Sequence, residues 1–295
     1  MPGIDITGLT KTYGSVSVLD DLDVHVPAGR ITAFLGANGS GKTTTMRILL
    51  GLSEPDHGSA TIGGLRYRDL PHPLRVVGAV LDQGFHPRRT ARDHLRLTAM
   101  QAGVRRSRVH EVLDLVGLGA VGRRWVGGFS LGMRQRLALA AALIGEPEVL
   151  VLDEPFNGLD PMGIAVMRRF LRGFADQGGT VFLSSHLLAE VAHSADDAVI
   201  IDHGRLVTSG PVTDLMPPGT ESVVVTTPDP GLLGAEIVRR GGTVLPTDGG
   251  LTVSGLDREA IARTALEVGA LVVGLRSSAE DLESVFTALI HQEIA

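Results

Sequence analysis

The chain contains no cysteine, which excludes a disulfide framework and any thiolate-bound metal. It also lacks a long apolar run. The densest one, Leu137 to Ile144, falls far short of the roughly 20 residues that a membrane-spanning helix needs. The N-terminal MPGIDITGL has neither the basic start nor the apolar stretch of a secretory signal, so a cytoplasmic location is expected. Nor is there an excess of positive charge. The net charge of −6 argues against general nucleic-acid binding, and no such partner is expected. What is present is an ordinary globular composition, 43% hydrophobic and 20% charged over 295 residues. That length accommodates one large or two modest domains.

The charge is unevenly spread. Arg88, Arg89, Arg92, Arg96, Arg105, Arg106, Arg108, Arg123 and Arg124 stand against Asp93, Glu111 and Asp114, so this stretch is strongly basic within an acidic chain. Two readings fit: a solvated helical face, or a surface that meets an acidic partner or anionic lipid headgroups.

Residues Gly36 to Thr44 read GANGSGKTT, a complete phosphate-binding loop of the form G-x-x-x-x-G-K-[ST]. An apolar run, Ile31 to Leu35, precedes it, and a helix-forming segment, Thr44 to Leu52, follows. The glycines let successive N–H groups turn into one anion-sized hollow, and the helix N-terminus adds partial positive charge there. Lys42 can reach the β- and γ-phosphates, and the Thr43 hydroxyl can ligate Mg2+. A nucleoside triphosphate is the expected ligand.

Residues 1 to about 85 read as strand-rich, with Ile4–Ile6, Val16–Leu19, Leu22–Val26 and Ile31–Leu35 between Gly, Pro and Asp punctuation. A helical period takes over from 90 to 118, broken by Gly103 and the glycines between 117 and 122. The pattern from Ser130 predicts helix 131–145, strand 149–153, helix 162–176, strand 180–184, helix 187–194 and strand 198–202. Short apolar strands alternating with helices imply a parallel sheet covered on both faces. Met216-Pro217-Pro218-Gly219 reads as a linker. Beyond it the predicted elements are strand 222–227, helix 231–240, strands 243–246 and 251–254, helix 257–268, strand 271–275 and helix 280–291. This reads as a small α+β module whose two strand–helix–strand passages resemble each other.

Val149 to Leu152 is an apolar strand that ends in Asp153 and Glu154. Such a strand delivers its last residues to the carboxyl edge of the sheet, where ligands of open α/β folds sit. Asp153 can hold Mg2+ with Thr43, and Glu154 can orient or deprotonate a water for attack on the γ-phosphate. Ser130 is an N-cap candidate for the helix that follows. On its residues alone, that helix start is either an ordinary cap or a second anion site.

The order of phosphate loop, S-x-G-x-x-Q helix start, apolar strand with Asp-Glu, N-G-L-D and S-S-H resembles the nucleotide-binding subunits of ABC transporters, over residues 4 to about 215. The S-L-G-M signature, and Ser278 to Phe286 near the C-terminus, resemble the drug- and antibiotic-export branch, of ABC-2 type and similar to daunorubicin-resistance proteins. The resemblance implies an α/β P-loop NTPase of ABC type. It would have an N-terminal antiparallel β subdomain, a helical subdomain over about 88–145, an ATP-binding domain over 1–217 and a C-terminal α+β accessory domain over 218–295.

The same resemblance implies residue roles. Tyr13 would stack on adenine, a contact tolerant of base identity, so ATP rather than GTP comes from the family alone. Gly36, Asn38, Gly39, Ser40, Gly41, Lys42, Thr43 and Thr44 would hold the phosphates. Ser130 and Gly132 would contact the γ-phosphate of an ATP held by the opposite subunit, which accounts for the second helix start. Asp160, in Asn157-Gly158-Leu159-Asp160, would belong to the loop joining the two sites. His186 would sense the γ-phosphate. Two departures stand out: Leu131 and Met133 replace the commoner Gly and Gln, and the usual metal-linking glutamine falls at Asp82 or, one residue later, at Gln83.

The implied function is an ATPase subunit of an exporter, with ATP and Mg2+ as cofactors and drugs or antibiotics as cargo. Its implied partners are a separate transmembrane permease and a second ATP-binding subunit, most simply a copy of itself. It would sit peripherally on the cytoplasmic face of the membrane. The alternatives are a soluble ABC-type ATPase, or an exporter subunit for lipid or another substrate. The C-terminal module would serve as a dimer brace or as a regulatory domain.

Overall fold

The computed structural model describes residues 1–81, 84–185, 194–215, 222–247 and 249–278. The chain divides into two compact units, Met1–Val212 and Thr213–Ala295.

In the first unit, strands that alternate buried and exposed residues build a three-stranded antiparallel sheet. Strand β1 (Ile4–Tyr13) lies between β2 (Val16–Val26) and β4 (His57–Ile62). Ile4, Ile6 and Leu9 of β1 turn inward with Leu22, Val24 and Val26 of β2. The two short strands expected at 16–19 and 22–26 are one continuous β2, in which Asp21 takes a positive φ of 53°.

Five largely apolar strands and a more polar sixth at one edge make a second sheet of order β5-β6-β7-β3-β8-β9. Its members are β3 (Ile31–Leu35), β5 (Val77–Val80), β6 (Val149–Leu152), β7 (Thr180–Ser185), β8 (Asp197–Asp202) and β9 (Arg205–Pro211). Strands β5 through β8 are parallel, and every residue of β3, β6 and β7 is buried, as strands covered on both faces require. Phe34 and Phe182 pack at 5.1 Å between ring centroids in this core. The expected parallel sheet is present, and one edge strand that the sequence pattern did not reveal is added to it. Strand β9 runs antiparallel to β8, because the two-residue turn at His203-Gly204 allows only a hairpin there.

Register decides where the chemistry falls. Val80 pairs with Leu152, Leu152 with Leu183, and Leu35 with Ser185. The carboxyl ends of β3, β6 and β7 therefore stop side by side. Helix α1 (Lys42–Leu49) leaves from the loop after β3. A four-residue helix, α2 (Pro73–Val76), leads into β5.

A helical layer follows: α3 (Ala91–Gln101), α4 (Arg108–Leu115) and α5 (Leu131–Ala142), buried through Leu95, Ala99, Val109, Val112, Leu113, Leu137 and Ala140. Thr90 caps α3 by accepting the Asp93 N–H at 3.1 Å. Helix α6 (Pro161–Asp176) covers the second sheet through Met167, Leu171 and Ala175. The helix expected at 187–194 lies, apart from Ser194, outside the described residues.

The second unit has the order strand, helix, strand, strand, helix, strand. Strands β10 (Ser222–Thr226), β11 (Thr243–Thr247), β12 (Gly250–Ser254) and β13 (Gly274–Ser278) form an antiparallel sheet of order β11-β12-β10-β13. Helices Pro230–Arg239 and Arg258–Val268 bury Leu233, Ile237 and Ile261 against Val223, Val225, Leu251 and Val253. The two strand–helix–strand passages exchange edge strands: β11 pairs with β12, and β13 with β10. This is the split β-α-β arrangement. The strand expected at 271–275 lies at Gly274–Ser278. The helix expected at 280–291 lies outside the described residues.

Candidate functional site

The loop after β3 curls because its glycines permit it. Gly41 has φ 107°, and a Cβ there would stand 2.6 Å from Leu19 Cδ2 and 2.9 Å from the Val18 carbonyl. At Gly36 a Cβ would run into Ser40 Oγ and into the Ile201 carbonyl. No larger residue fits either position. Ser40 Oγ is buried against Gly36 and has no hydrogen-bond partner among the described residues.

Lys42 opens α1 and folds back over the loop. Its Nζ donates to the Gly36 carbonyl at 2.6 Å and to the Ala37 carbonyl at 3.1 Å. Burial lowers its pKa, while the charges of Glu154 and Asp153 oppose that shift. The ammonium thus sits between the loop carbonyls that it engages and the field of two carboxylates.

The neighbouring strand ends supply the carboxylates. Thr43 Oγ1 donates to Asp153 Oδ2 at 2.7 Å. Asp153 Oδ1 accepts from Ser184 Oγ at 2.5 Å, and Ser184 Oγ accepts the Glu154 N–H at 2.8 Å. One buried hydroxyl at the end of β7 thus fixes both Asp153 and the backbone of Glu154. Glu154 has φ 48°, a conformation that L residues rarely adopt and that turns the chain sharply as it leaves β6. Thr43 and Asp153 present hard oxygen donors, the set that suits Mg2+ shared with phosphate oxygens. No group of three or more His, Cys, Asp or Glu side chains suited to a metal occurs among the described residues.

Ser130 caps α5: its Oγ accepts the Met133 N–H at 3.3 Å. Gly132 sits against Gly158, where a Cβ would lie 3.4 Å from the Gly158 carbonyl. Gly158 itself has φ 75°, and a Cβ there would overlap the Leu131 side chain. Asp160 caps α6, with Oδ1 accepting the Gly163 N–H at 2.9 Å. Gln135, buried, donates from Nε2 to the Pro155 carbonyl at 2.9 Å and ties α5 to the segment after Glu154. A groove of about 840 Å³ is lined by Ser130–Gly132, Asp160, Val166 and Phe170, away from the phosphate loop.

Tyr13 ends β1, 49% exposed, with its hydroxyl 3.1 Å from Ser53 Oγ. The structure therefore gathers Lys42, Thr43, Asp153 and Glu154, and gives Ser130 and Asp160 capping positions. Asp82, Gln83 and His186 lie outside the described residues. Ser184 and Gln135 were legible only as members of S-S-H and S-x-G-x-x-Q. The signal for Ser184 is a pair of hydroxyls that closes an otherwise apolar strand.

The basic stretch is drawn together by backbone bonds. Arg92 N–H donates to the Gly122 carbonyl at 2.8 Å, and Val126 N–H to the Arg89 carbonyl at 3.0 Å. Arg96 pairs with Asp93, and Arg105 and Arg108 with Glu111. Among the described residues no ion pair engages Arg88, Arg89, Arg123 or Arg124, and Trp125 beside them is 58% exposed.

A family model described as ABC transporter matches residues 19–157, and an AAA domain model matches residues 124–192. The chain is 36% identical over 301 residues to the bacitracin transport ATP-binding protein of Enterococcus faecalis, covering 97% of this chain and 96% of that one. It is 37% identical over 222 residues to the daunorubicin/doxorubicin resistance ATP-binding protein of Streptomyces peucetius, covering 72% and 66%. Among solved structures, the ATP binding subunit of an ABC transporter matches with a TM-score of 0.66 and 30% identity, over 72% of this chain and 91% of that one. A dimeric bacterial ABC transporter cassette shares the fold, with a TM-score of 0.66 at 23% identity, over 71% and 98%.

Proposed function

This chain belongs to the family of ABC transporter ATP-binding proteins, and on that premise we propose that it is the ATP-hydrolysing subunit of an exporter that drives a separate membrane permease. Antibiotics or related drugs are the proposed cargo, in keeping with the relatives named for bacitracin transport and daunorubicin resistance. The observation that carries the reading is the chain of bonds from Thr43 through Asp153 to Ser184 and the Glu154 backbone.

The residues divide the work. Gly36, Asn38, Gly39, Ser40, Gly41 and Thr44 cradle the phosphates with backbone N–H groups and hydroxyls. Lys42 leaves its loop carbonyls to bind the β- and γ-phosphate oxygens. Thr43 and Asp153 would hold Mg2+, which supplies charge neutralisation on those oxygens. Asp82 or Gln83 would link that ion to the permease. Glu154 accepts a proton from the attacking water, and His186 contacts the γ-phosphate. Tyr13 stacks on adenine.

Ser130 and Gly132 close over the ATP of a second copy of this chain, and Asp160 lies in the loop between the two sites. The domain plan is an ATP-binding domain over 1–217, with a helical subdomain over about 88–145, and an accessory domain over 218–295 that braces the dimer. Trp125 with Arg88, Arg89, Arg123 and Arg124 is the proposed permease contact, at the cytoplasmic face of the membrane.

The test is Glu154→Gln, assayed by phosphate release and by ATP binding. Hydrolysis should slow roughly 10²–10⁴-fold with binding retained. Near-normal turnover would remove Glu154 from its role. Co-expression with a permease recovered by pull-down with this chain should lower cellular accumulation of bacitracin or daunorubicin, and Glu154→Gln should abolish that effect.

A further inference from the structure

Lysine is scarce here. Against 25 arginines the chain has two lysines, Lys11 and Lys42. Lys42 belongs to the phosphate loop. Lys11 lies two residues before Tyr13, where β1 ends, and its Nζ stands 5.3 Å from the centroid of the Tyr13 ring. An ammonium on a flexible stem can lie over a ring face while keeping a carboxylate partner. That partner is Asp56, whose Oδ1 accepts from Lys11 Nζ at 2.9 Å.

Asp56 does more than pair. Its Oδ2 accepts the Thr12 N–H at 2.6 Å, and its own N–H donates to the Thr10 carbonyl at 2.9 Å. These bonds matter because the sheet loosens here. The pairing of β1 with β4 ends at Thr10 and His57, and the register with β2 shifts at both Leu9/Lys11 and Lys11/Thr12. Beyond Thr10, on the β4 side, Asp56 takes over what the ladder no longer does. Ser53, from the same turn, meets the Tyr13 hydroxyl at 3.1 Å. The ring is thus gripped at its stem, over one face and at its tip, yet remains half-exposed.

We propose that Asp56 and Lys11 are positioning residues for the nucleotide base, holding the Tyr13 ring in the orientation in which it stacks. The inference rests on the reading of Tyr13 as the base platform. It assigns to the pair the part of nucleotide affinity that depends on the base, and none of the part that depends on phosphate.

The full chain carrying Glu154→Gln allows ATP and inorganic triphosphate binding to be measured by calorimetry with turnover slowed. Adding Asp56→Asn or Lys11→Met should weaken ATP roughly three- to tenfold and leave inorganic triphosphate unchanged. With Glu154 restored, the same substitutions should raise the KM for ATP and leave kcat unaltered. In a Tyr13→Ala background Asp56→Asn should have no further effect, since the two changes act through one contact. If Tyr13→Ala weakens ATP while Asp56→Asn and Lys11→Met do not, the positioning role is overturned and the platform stands. If Tyr13→Ala leaves ATP affinity unchanged, the platform reading itself fails. An equal loss for ATP and inorganic triphosphate would make the pair a general support of the fold, which also overturns the proposal.

Discussion

Thr43 and Asp153 lie 110 positions apart and share a 2.7 Å hydrogen bond, the threonine hydroxyl donating to Oδ2. The bond joins the first turn of α1 to the end of β6. Because β7 lies between β3 and β6, the same carboxylate also reaches Ser184.

Ser184→Ala should therefore damage two groups at once. It deprives Asp153 Oδ1 of a donor and the Glu154 N–H of its acceptor, in a site where Ser184 is fully buried. Lost buried hydrogen bonds cost about 1–3 kcal/mol. We expect a lower denaturation midpoint and a kcat reduced about tenfold, as roughly 1.4 kcal/mol of lost transition-state stabilisation implies. Phosphate release against ATP concentration, with a urea titration, measures both. An unchanged kcat would leave Ser184 a packing residue.

Leu131 and Gly158 form a second coupled pair. Gly158→Ala should destabilise the chain, since φ 75° disfavours any side chain and the new Cβ would strike Leu131. Adding Leu131→Ala should recover the steric part and leave a backbone cost of about 1 kcal/mol. A double-mutant cycle by denaturant unfolding reads the coupling. Purely additive effects would mean that the two residues do not touch.

Asp160 separates capping from assembly. Asp160→Ala removes the acceptor of the Gly163 N–H and should cost about 1 kcal/mol, whereas Asp160→Asn keeps a cap. ATP-driven dimerisation, followed by sedimentation in the Glu154→Gln background, should weaken in both variants if Asp160 also works between subunits. Normal dimerisation of Asp160→Asn would confine the residue to its cap.

His94 should make stability depend on pH. Burial against Phe85, at 5.0 Å between rings, and then the charge of Arg89, lower its pKa below the usual 6.5. The unfolded chain therefore binds a proton first as pH falls. Stability contributed by neutral His94 is present above about 6.5 and declines as pH drops from there toward the lowered folded value. Unfolding free energies at pH 8 and pH 5.5 should differ more for the native chain than for His94→Gln. Equal differences would show that the ring does not titrate in this window.

Much of this site is legible in sequence because its chemistry is local. The phosphate loop needs Gly36, Gly41, Lys42 and Thr43 within nine consecutive residues, and the all-apolar Val149–Leu152 ends where Asp153 and Glu154 must act. Strand β9 is not legible: Arg205–Pro211 mixes exposed and half-buried residues and contains Gly210 and Pro211, because it is an edge strand. Strand β4, with His57 and Gly58, hides for a similar reason. The grip on Tyr13 is invisible because Lys11 and Asp56 are 45 residues apart and neither forms a motif.

The sequence by itself determined the order of the motifs, the kind of chemistry each can do and the family they spell. Those depend on residue type at short spacing, where backbone conformation and side-chain chemistry are set locally. Only the tertiary structure decided that Thr43, Asp153, Ser184 and the Glu154 backbone meet, and that Asp56 holds the end of β1. Strand order and register are settled by burying whole apolar faces against one another, and no local stretch of sequence contains that choice.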